Sequence, residues 1–127
     1  MLNPDLVGRT FTGATSTTIS QESITAFAHA LGEESISVAP PTFGITVTLA
    51  QSQTLLQDSG LDWTRVVHGD QRFEIHTPIV AGMRLTCDCT IESARVVAGN
   101  EIVSVKADLL SDSKLIASTW ATLVFRG

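Results

Sequence analysis

The chain has 127 residues, of which 43% are hydrophobic, and a formal charge of −5 at pH 7. This length and composition suit one hydrophobic core, so the sequence predicts a single domain spanning residues 1–127. The eight Lys and Arg are spread along the chain, which argues against nucleic acid and anionic membranes as partners, because both require a concentrated cationic surface.

The N-terminal stretch MLNPDLVGRT has neither a basic start nor an apolar middle. It therefore does not resemble a signal peptide, and no apolar run approaches the roughly 20 residues of a membrane span. The sequence predicts a cytoplasmic protein.

Three patterns in the first half of the chain predict one strand and two helices. Residues 9–19 are rich in Thr and predict a strand interrupted at Gly13. Ser20 then suits the N-cap of a helix whose apolar stripe ends before Gly32; the stripe consists of Ile24, Phe27, Ala28 and Leu31. After Pro40 and Pro41, Thr42 is the expected cap of a core helix that ends at Gly60 and buries Ile45, Leu49, Ser52 and Leu56.

From residue 66 onward the hydrophobic period falls to two, which is typical of strands with one buried face. The alternating apolar positions are Phe73 and Ile75; Leu85, Cys87, Cys89 and Ile91; Val103, Val105, Ala107 and Leu109; and Leu115, Ala117, Ala121, Leu123 and Phe125. AGNE at 98–101 and SDSK at 111–114 predict hairpin turns.

This order of elements predicts an α+β fold in which an antiparallel sheet packs its apolar face against the helices. An antiparallel β-sheet wrapped around a central α-helix is the hotdog fold. A protomer with so little mass to cover its sheet is expected to dimerise.

A row of titratable side chains occupies every second position of HGDQRFEIH, and consists of His68, Asp70, Arg72, Glu74 and His76. A His and a carboxylate two residues apart on one strand face can act together as a general base. Mixed charges in alternation also form the solvated face of an antiparallel strand. The solvated face is favoured, because nothing in the sequence shows that the row is enclosed.

The segment APPTFG, residues 39–44, leads into the second helix. The backbone N–H groups of Phe43, Gly44 and Ile45 could there bind the carbonyl oxygen of a thioester, and Gly44 would allow a ligand to approach closely. A proline-stiffened loop that merely starts a helix explains the same residues.

Other chemistry has little support in the sequence. Cys87 and Cys89 are expected to pack in the core rather than to bind metal, since their CxC spacing has no second pair. GxSxG, GxxxxGK and GxGxxG do not occur, so a serine nucleophile and ATP or NAD chemistry are not expected. The sequence thus predicts neither a metal site nor a cofactor.

Three stretches together resemble the MaoC-like N-terminal dehydratase domains: VGRTFTGATSTTISQESITAFAHALGE, VAPPTF and VVHGDQRFEIHTPIVAGMRLTCDCTIESAR. The resemblance implies a hotdog fold, an acyl-CoA or acyl-carrier-protein thioester as ligand, and hydratase or dehydratase activity in fatty acyl metabolism. It also implies substrate-binding roles for Pro41, Thr42, Phe43 and Gly44, and for His68, Gly69 and Gln71, because HGDQ matches the HGEQ of the family.

Active members of that family carry an Asp and a His after the first helix, in a pattern like GDxNPxHxD. Here only EESISV stands between Gly32 and Ala39. Glu33, Glu34 and His68 are the remaining weak candidates for a catalytic group. The resemblance is therefore to the subunit without the dyad, which shapes the acyl site beside a catalytic hotdog partner.

Two further hypotheses stay open. One is a divergent active enoyl-CoA hydratase or acyl-CoA thioesterase; the other is a non-enzymatic acyl-binding homodimer. The thioesterase is disfavoured because residues 45–57 contain no acidic residue.

Overall fold

A computed structural model of the chain describes residues 2–13, 16–34 and 37–127. Within these residues there are two α-helices, α1 (Gln21–Ala30) and α2 (Ile45–Asp58). The strands are β1 (Thr10–Thr12), β2 (Thr17–Thr18), β3 (Val66–Ile75), β4 (Arg84–Val97), β5 (Asn100–Ser111) and β6 (Lys114–Phe125). Short 3-10 turns cover Pro4–Leu6 and Trp63–Arg65. The part of the chain that the structure describes contains no helix long and apolar enough to cross a membrane.

The strands form one antiparallel sheet in the order β1-β4-β5-β6-β3, and β2 also pairs with β4. The three long strands β4, β5 and β6 are hairpin neighbours, so they occupy the centre. Strand β3 reaches the sheet by crossing to β6, which leaves it at one edge. The predicted α+β architecture, an antiparallel sheet with helices against its apolar face, is confirmed.

Helix α1 begins as its sequence predicts. The Ser20 hydroxyl oxygen accepts the Ser23 N–H at 3.1 Å, which satisfies one of the free donors of the first turn. Ile24 and Ala28 are fully buried. The prediction that Leu31 joins this stripe is wrong: the helix ends at Ala30, and Leu31 is 52% exposed.

Helix α2 is the core helix, and its buried stripe is unusually polar. Thr48, Ser52 and Leu56 face the sheet, and the Ser52 hydroxyl donates to the Thr48 carbonyl at 2.9 Å. This internal bond removes the cost of burying a free hydroxyl. The predicted cap is wrong, since Gly44 occupies the N-cap position without any side-chain bond and Thr42 lies in the turn before it.

Both predicted hairpin turns are present. Ala98–Gly99 and Asp112–Ser113 each have positive φ at both positions, as a two-residue turn between twisted strands requires. The alternation of β4 and β5 holds, but β6 departs from it. A register shift in the β5–β6 ladder leaves Ile116 without an opposite residue, so Ile116 is 1% exposed while Leu115, predicted to be buried, is 40% exposed.

Candidate functional site

The row of titratable groups on β3 does not share one face of the strand. The β3–β6 ladder shifts register between His68 and Asp70, with Gly69 as the extra residue. Residues directly opposite in an antiparallel ladder lie on the same face. His68 is opposite the buried Leu123, whereas Asp70 is opposite Thr122. The bulge therefore directs His68 to the inner side of the sheet, where it is still exposed, and leaves Asp70, Arg72 and Glu74 on the outer side.

Gly69 suits this bulge because the neighbouring strand is close. A Cβ added at Gly69 would lie 3.2 Å from the Thr122 carbonyl oxygen. Such a bulge re-aims a side chain and increases local twist. After it, Gln71 lies opposite the buried Ala121 and is half-buried on the inner face. The HGDQ stretch thus places His68 and Gln71 on the inner face and Asp70 on the outer face.

The outer part of the row is a solvated sheet face. Arg72 lies over the Trp120 ring, with 4.1 Å from its guanidinium carbon to the ring centroid. Glu74 Oε1 and His76 Nε2 are 3.7 Å apart, and their side chains are 62% and 42% exposed. Pairs this exposed contribute little to stability and hold no enclosed proton-transfer site. The favoured interpretation, in which Asp70, Arg72 and Glu74 form the solvated face of the strand, agrees with these positions.

Phe73 and Ile75 were predicted to be buried on the opposite side, and for Ile75 this is wrong. Phe73 is half-buried, and Ile75 is 43% exposed. Both face inward by their pairing with Thr119 and Ala117. The inner face of an edge strand is covered only as far as the helices extend, so its outermost side chains stay exposed.

The segment 39–44 satisfies most of its own backbone donors. The Phe43 N–H donates to the Pro40 carbonyl at 2.9 Å, and the Ile45 N–H donates to the Thr42 carbonyl at 3.1 Å. Of the three N–H groups predicted to meet a thioester, two are therefore used inside the turn. Within the residues that the structure describes, the N–H of the buried Gly44 has no acceptor.

Phe43 and Gly44 are core residues in this structure. The Phe43 ring packs edge-on against Phe27, with ring centroids 5.4 Å apart. A Cβ at Gly44 would lie 3.1 Å from Leu109 Cδ1. Packing against Leu109 thus explains the glycine without a ligand. Pro41 and Thr42 are exposed, and their predicted roles in binding stay predictions.

An apolar groove lies between this turn and the end of β3. It has a volume of about 160 Å³ and is lined by Val38, Ala39, Pro40, Pro41, Ile75, Pro78 and Ile79. The Ala39 N–H donates to the Ile79 carbonyl at 2.8 Å, and Val38 bridges to Val80. These long-range bonds join two segments 40 positions apart, which no local pattern in the sequence indicates. Among the groove residues, only Pro41 was predicted as a site residue.

The structure does not bring His68 to this groove. Seven positions of extended strand separate His68 from Ile75, which is roughly 20 Å at about 3.3 Å per residue. Glu33 and Glu34 are exposed beyond the end of α1, where the Glu33 N–H donates to the Ala28 carbonyl at 2.9 Å. The predicted catalytic and binding residues therefore do not form one cluster.

Cys87 and Cys89 are buried side by side on the inner face of β4. Their sulfur atoms are 3.8 Å apart, and the Ser52 hydroxyl is 3.9 Å from Cys89 Sγ. Hydrogen bonding to Cys89, with burial, raises the pKa of the Cys87 thiol above its usual range. The expectation that both pack in the core agrees with this burial. The described residues contain no group of three or more His, Cys, Asp or Glu side chains placed to hold a metal ion.

Comparison with known proteins identifies the family. The family described as "FAS1-like, dehydratase domain region" matches residues 5–118. The UPF0336 protein SCO4636 of Streptomyces coelicolor is 32% identical over 143 aligned positions, which cover 98% of this chain and 95% of that one. Because 143 exceeds the 127 residues present here, the relative contains positions without a counterpart in this chain.

Two solved structures have the same fold. The C-terminally truncated HadBC (3R-hydroxyacyl-ACP dehydratase) complex of Mycobacterium tuberculosis contains a chain with TM-score 0.80 and 26% identity, covering 97% of this chain and 99% of that one. The structure of a MaoC-like dehydratase superposes with a TM-score of 0.83 and 23% identity. The match covers 95% of this chain but only 42% of the other protein. The chain thus belongs to the FAS1-like dehydratase-region family, and its fold is that of a MaoC-like hotdog dehydratase domain.

Proposed function

We propose that this chain is the acyl-thioester-binding subunit of a (3R)-hydroxyacyl-thioester dehydratase or enoyl hydratase, and that a second hotdog chain supplies the catalytic Asp and His. The thioester carrier would be CoA or an acyl carrier protein. A single domain over residues 1–127 and a cytoplasmic location belong to the same proposal.

One observation carries the proposal: the described residues contain no enclosed His and carboxylate pair. Their one His and carboxylate contact, between Glu74 and His76, is exposed on both sides. Removing the α-proton of a thioester needs a base whose pKa is tuned by its surroundings and whose partner holds it in place. A chain of a dehydratase family without such a pair requires another source for it.

The short link after α1 supports the same conclusion. The sequence between Gly32 and Ala39, EESISV, contains neither Asp nor His. We infer that the extra positions of the Streptomyces relative correspond to a deletion in this link. The family places its catalytic Asp and His in this segment, so a shortened link would remove them together.

The groove is where this chain would hold its ligand. Its walls are apolar apart from the backbone, which suits the acyl or pantetheine part of a thioester. Gly44 adjoins it, because a Cβ at Gly44 would lie 3.9 Å from Ile79 Cδ1. The Gly44 N–H has no acceptor within the described residues, so it is the donor left to bind a thioester carbonyl oxygen.

Strand β3 is the surface that a hotdog partner would cover. It pairs with β6 on one side only and exposes Val67 and Ile75. An uncovered edge strand of ten residues is a template for pairing with another strand. Ile75 also lines the groove, so a partner seated on β3 would bring its catalytic groups next to the bound thioester.

The first experiment measures hydration of crotonyl-CoA by the purified chain, alone and co-expressed with a MaoC-like chain that has an intact Asp and His. The chain alone is expected to be inactive, and the pair active above the level of the partner alone. Turnover by the chain alone at enzyme-like rates, abolished by Glu33→Gln or Glu34→Gln, would contradict the proposal and favour a divergent hydratase. Release of free thiol from acyl-CoA would favour the thioesterase.

A matched pair of variants tests whether the β3 edge is the interface with the partner. Ile75→Asp places a charge in the groove and on the β3 edge, and is expected to weaken co-purification with the partner by at least tenfold, or about 1.4 kcal/mol. Val96→Asp adds the same charge at the hairpin end of β4, at a residue that is also exposed, and should retain the partner. Equal loss in both folded variants, checked by circular dichroism, would exclude β3 as the interface.

A further inference from the structure

The paired thiols of β4 lie side by side within the core. Cys87 and Cys89 point to the same face because they are two positions apart on a strand. Their sulfur atoms are 3.8 Å apart. Ser52 of α2 lies next to one of them, with its hydroxyl 3.9 Å from Cys89 Sγ.

One of the two cysteines borders a cleft, although only 3% of its surface is exposed. Cys87 lines a cavity of about 410 Å³ between α2 and the β2–β4 side of the sheet, together with Ile19, Val47, Gln51 and Leu85. This cleft is distinct from the apolar groove at Pro41 and Ile75, with which it shares no residue. A small reagent in the cleft would meet Cys87 first and Cys89 directly behind it.

The two thiols are poorly placed for a disulfide. Two positions of extended strand separate their Cα atoms by about 6.6 Å, close to the upper limit of about 6.8 Å for a disulfide, and parallel side chains keep the sulfurs apart. A single bridging atom fits better. Two sulfur bonds of about 2.3 Å to one atom span about 3.3 Å at a bond angle near 90° and about 3.8 Å at a tetrahedral angle, so a pyramidal atom would need the sulfurs to approach by a few tenths of an ångström.

The number of ligands available near the two thiols determines which bridging atom they can bind. A zinc ion needs four ligands, and the described residues provide no third His, Cys, Asp or Glu beside the two thiols. Trivalent arsenic that carries one organic substituent needs only two sulfurs. The arsenic–dithiol product is neutral, which suits a buried site close to the carboxylates of Asp88 and Asp108.

We propose that Cys87 and Cys89 form a dithiol capture site for trivalent organoarsenicals of the type R–As(OH)2. Each S–H proton joins a leaving hydroxide of arsenic. Two As–O bonds break, two As–S bonds form and two waters leave, while arsenic stays trivalent. The organic substituent occupies the cleft beside Val47 and Leu85. This site does not depend on the proposed dehydratase function.

The test uses the folded full chain and phenylarsine oxide, which hydrates to such a species, with intact-mass detection. One adduct is expected, which excess 2-mercaptoethanol leaves in place and 2,3-dimercaptopropanol removes. Cys87→Ser and Cys89→Ser should each lose this adduct, and Ser52→Ala should keep it. An adduct that survives in either single-cysteine variant would overturn the proposal.

A second measurement needs no variant. After one equivalent of arsenical, the thiols of the wild-type chain are counted with Ellman's reagent in denaturant. Both thiols should be blocked together. If one thiol stays free, or if the adduct forms only after the chain is first unfolded in urea, the two cysteines do not form a capture site in the folded protein.

Discussion

The Glu101 carboxylate accepts a hydrogen bond from the backbone N–H of Leu2, at 2.7 Å, although 99 positions separate the two residues. Both side chains are buried, so this bond fastens the N-terminal segment to β5. Glu101→Ala removes the acceptor and leaves a buried donor, and is expected to cost about 1–3 kcal/mol in the free energy of unfolding. Urea denaturation measures this loss.

Glu101→Gln is the informative partner of that variant. It keeps a carbonyl oxygen as acceptor and should retain most of the stability. Glu92→Ala removes an exposed carboxylate from the neighbouring strand and should change the free energy of unfolding by less than about 0.5 kcal/mol. Equal losses for the Ala and Gln variants would mean that charge, rather than the bond to Leu2, matters at this position.

The register shift in β6 is tested by two adjacent truncations. Ile116→Ala creates a cavity in the core and should cost about 2–5 kcal/mol. Leu115→Ala removes an exposed side chain and should cost about 0.5 kcal/mol or less. Thermal or urea unfolding of both variants decides between the observed shift and simple alternation, which predicts the reverse order.

The Ala98–Gly99 turn offers a stabilising change. Ala98 has φ of 52° and Gly99 has φ of 80°, the left-handed region in which a Cβ costs roughly 1–2 kcal/mol. Ala98→Asn supplies the Asn-Gly pair that such turns prefer and should raise stability by roughly 0.5–1 kcal/mol. Gly99→Ala should lower it. An Ala98→Asn variant with a lower melting temperature than wild type would show that this turn is not of the expected type.

Gly44→Ala tests whether packing alone explains that glycine. The added methyl would meet Leu109 Cδ1 at 3.1 Å, and Leu109 is fully buried. Overpacking of this kind is expected to cost about 1–3 kcal/mol. The double variant Gly44→Ala/Leu109→Ala should lose less stability than the sum of the two single variants. In the double variant, the new methyl fills part of the cavity that Leu109→Ala creates. If the two losses of stability are additive, the strain in Gly44→Ala does not arise from contact with Leu109.

Local patterns in the sequence determined the helices, the long strands and both hairpin turns. Ser20 caps α1 because its side chain reaches a donor three residues away, and the alternation of β4 and β5 needs only neighbours in sequence. Such signals act over a few residues, so they can be interpreted without knowing the fold. The resemblance to MaoC-like dehydratases added the family, which the comparisons confirm.

Relationships between distant segments were decided by the tertiary structure. The bulge at Gly69, which separates His68 from Asp70, follows from pairing with β6 more than 50 positions later, and an alternating pattern cannot indicate it. The groove likewise lies between segments that meet only in the fold, where the Ala39 N–H donates to the Ile79 carbonyl. Periodicity reports which residues tend to be buried, whereas register, edges and grooves depend on which segments meet, and that choice is made by packing over the whole chain.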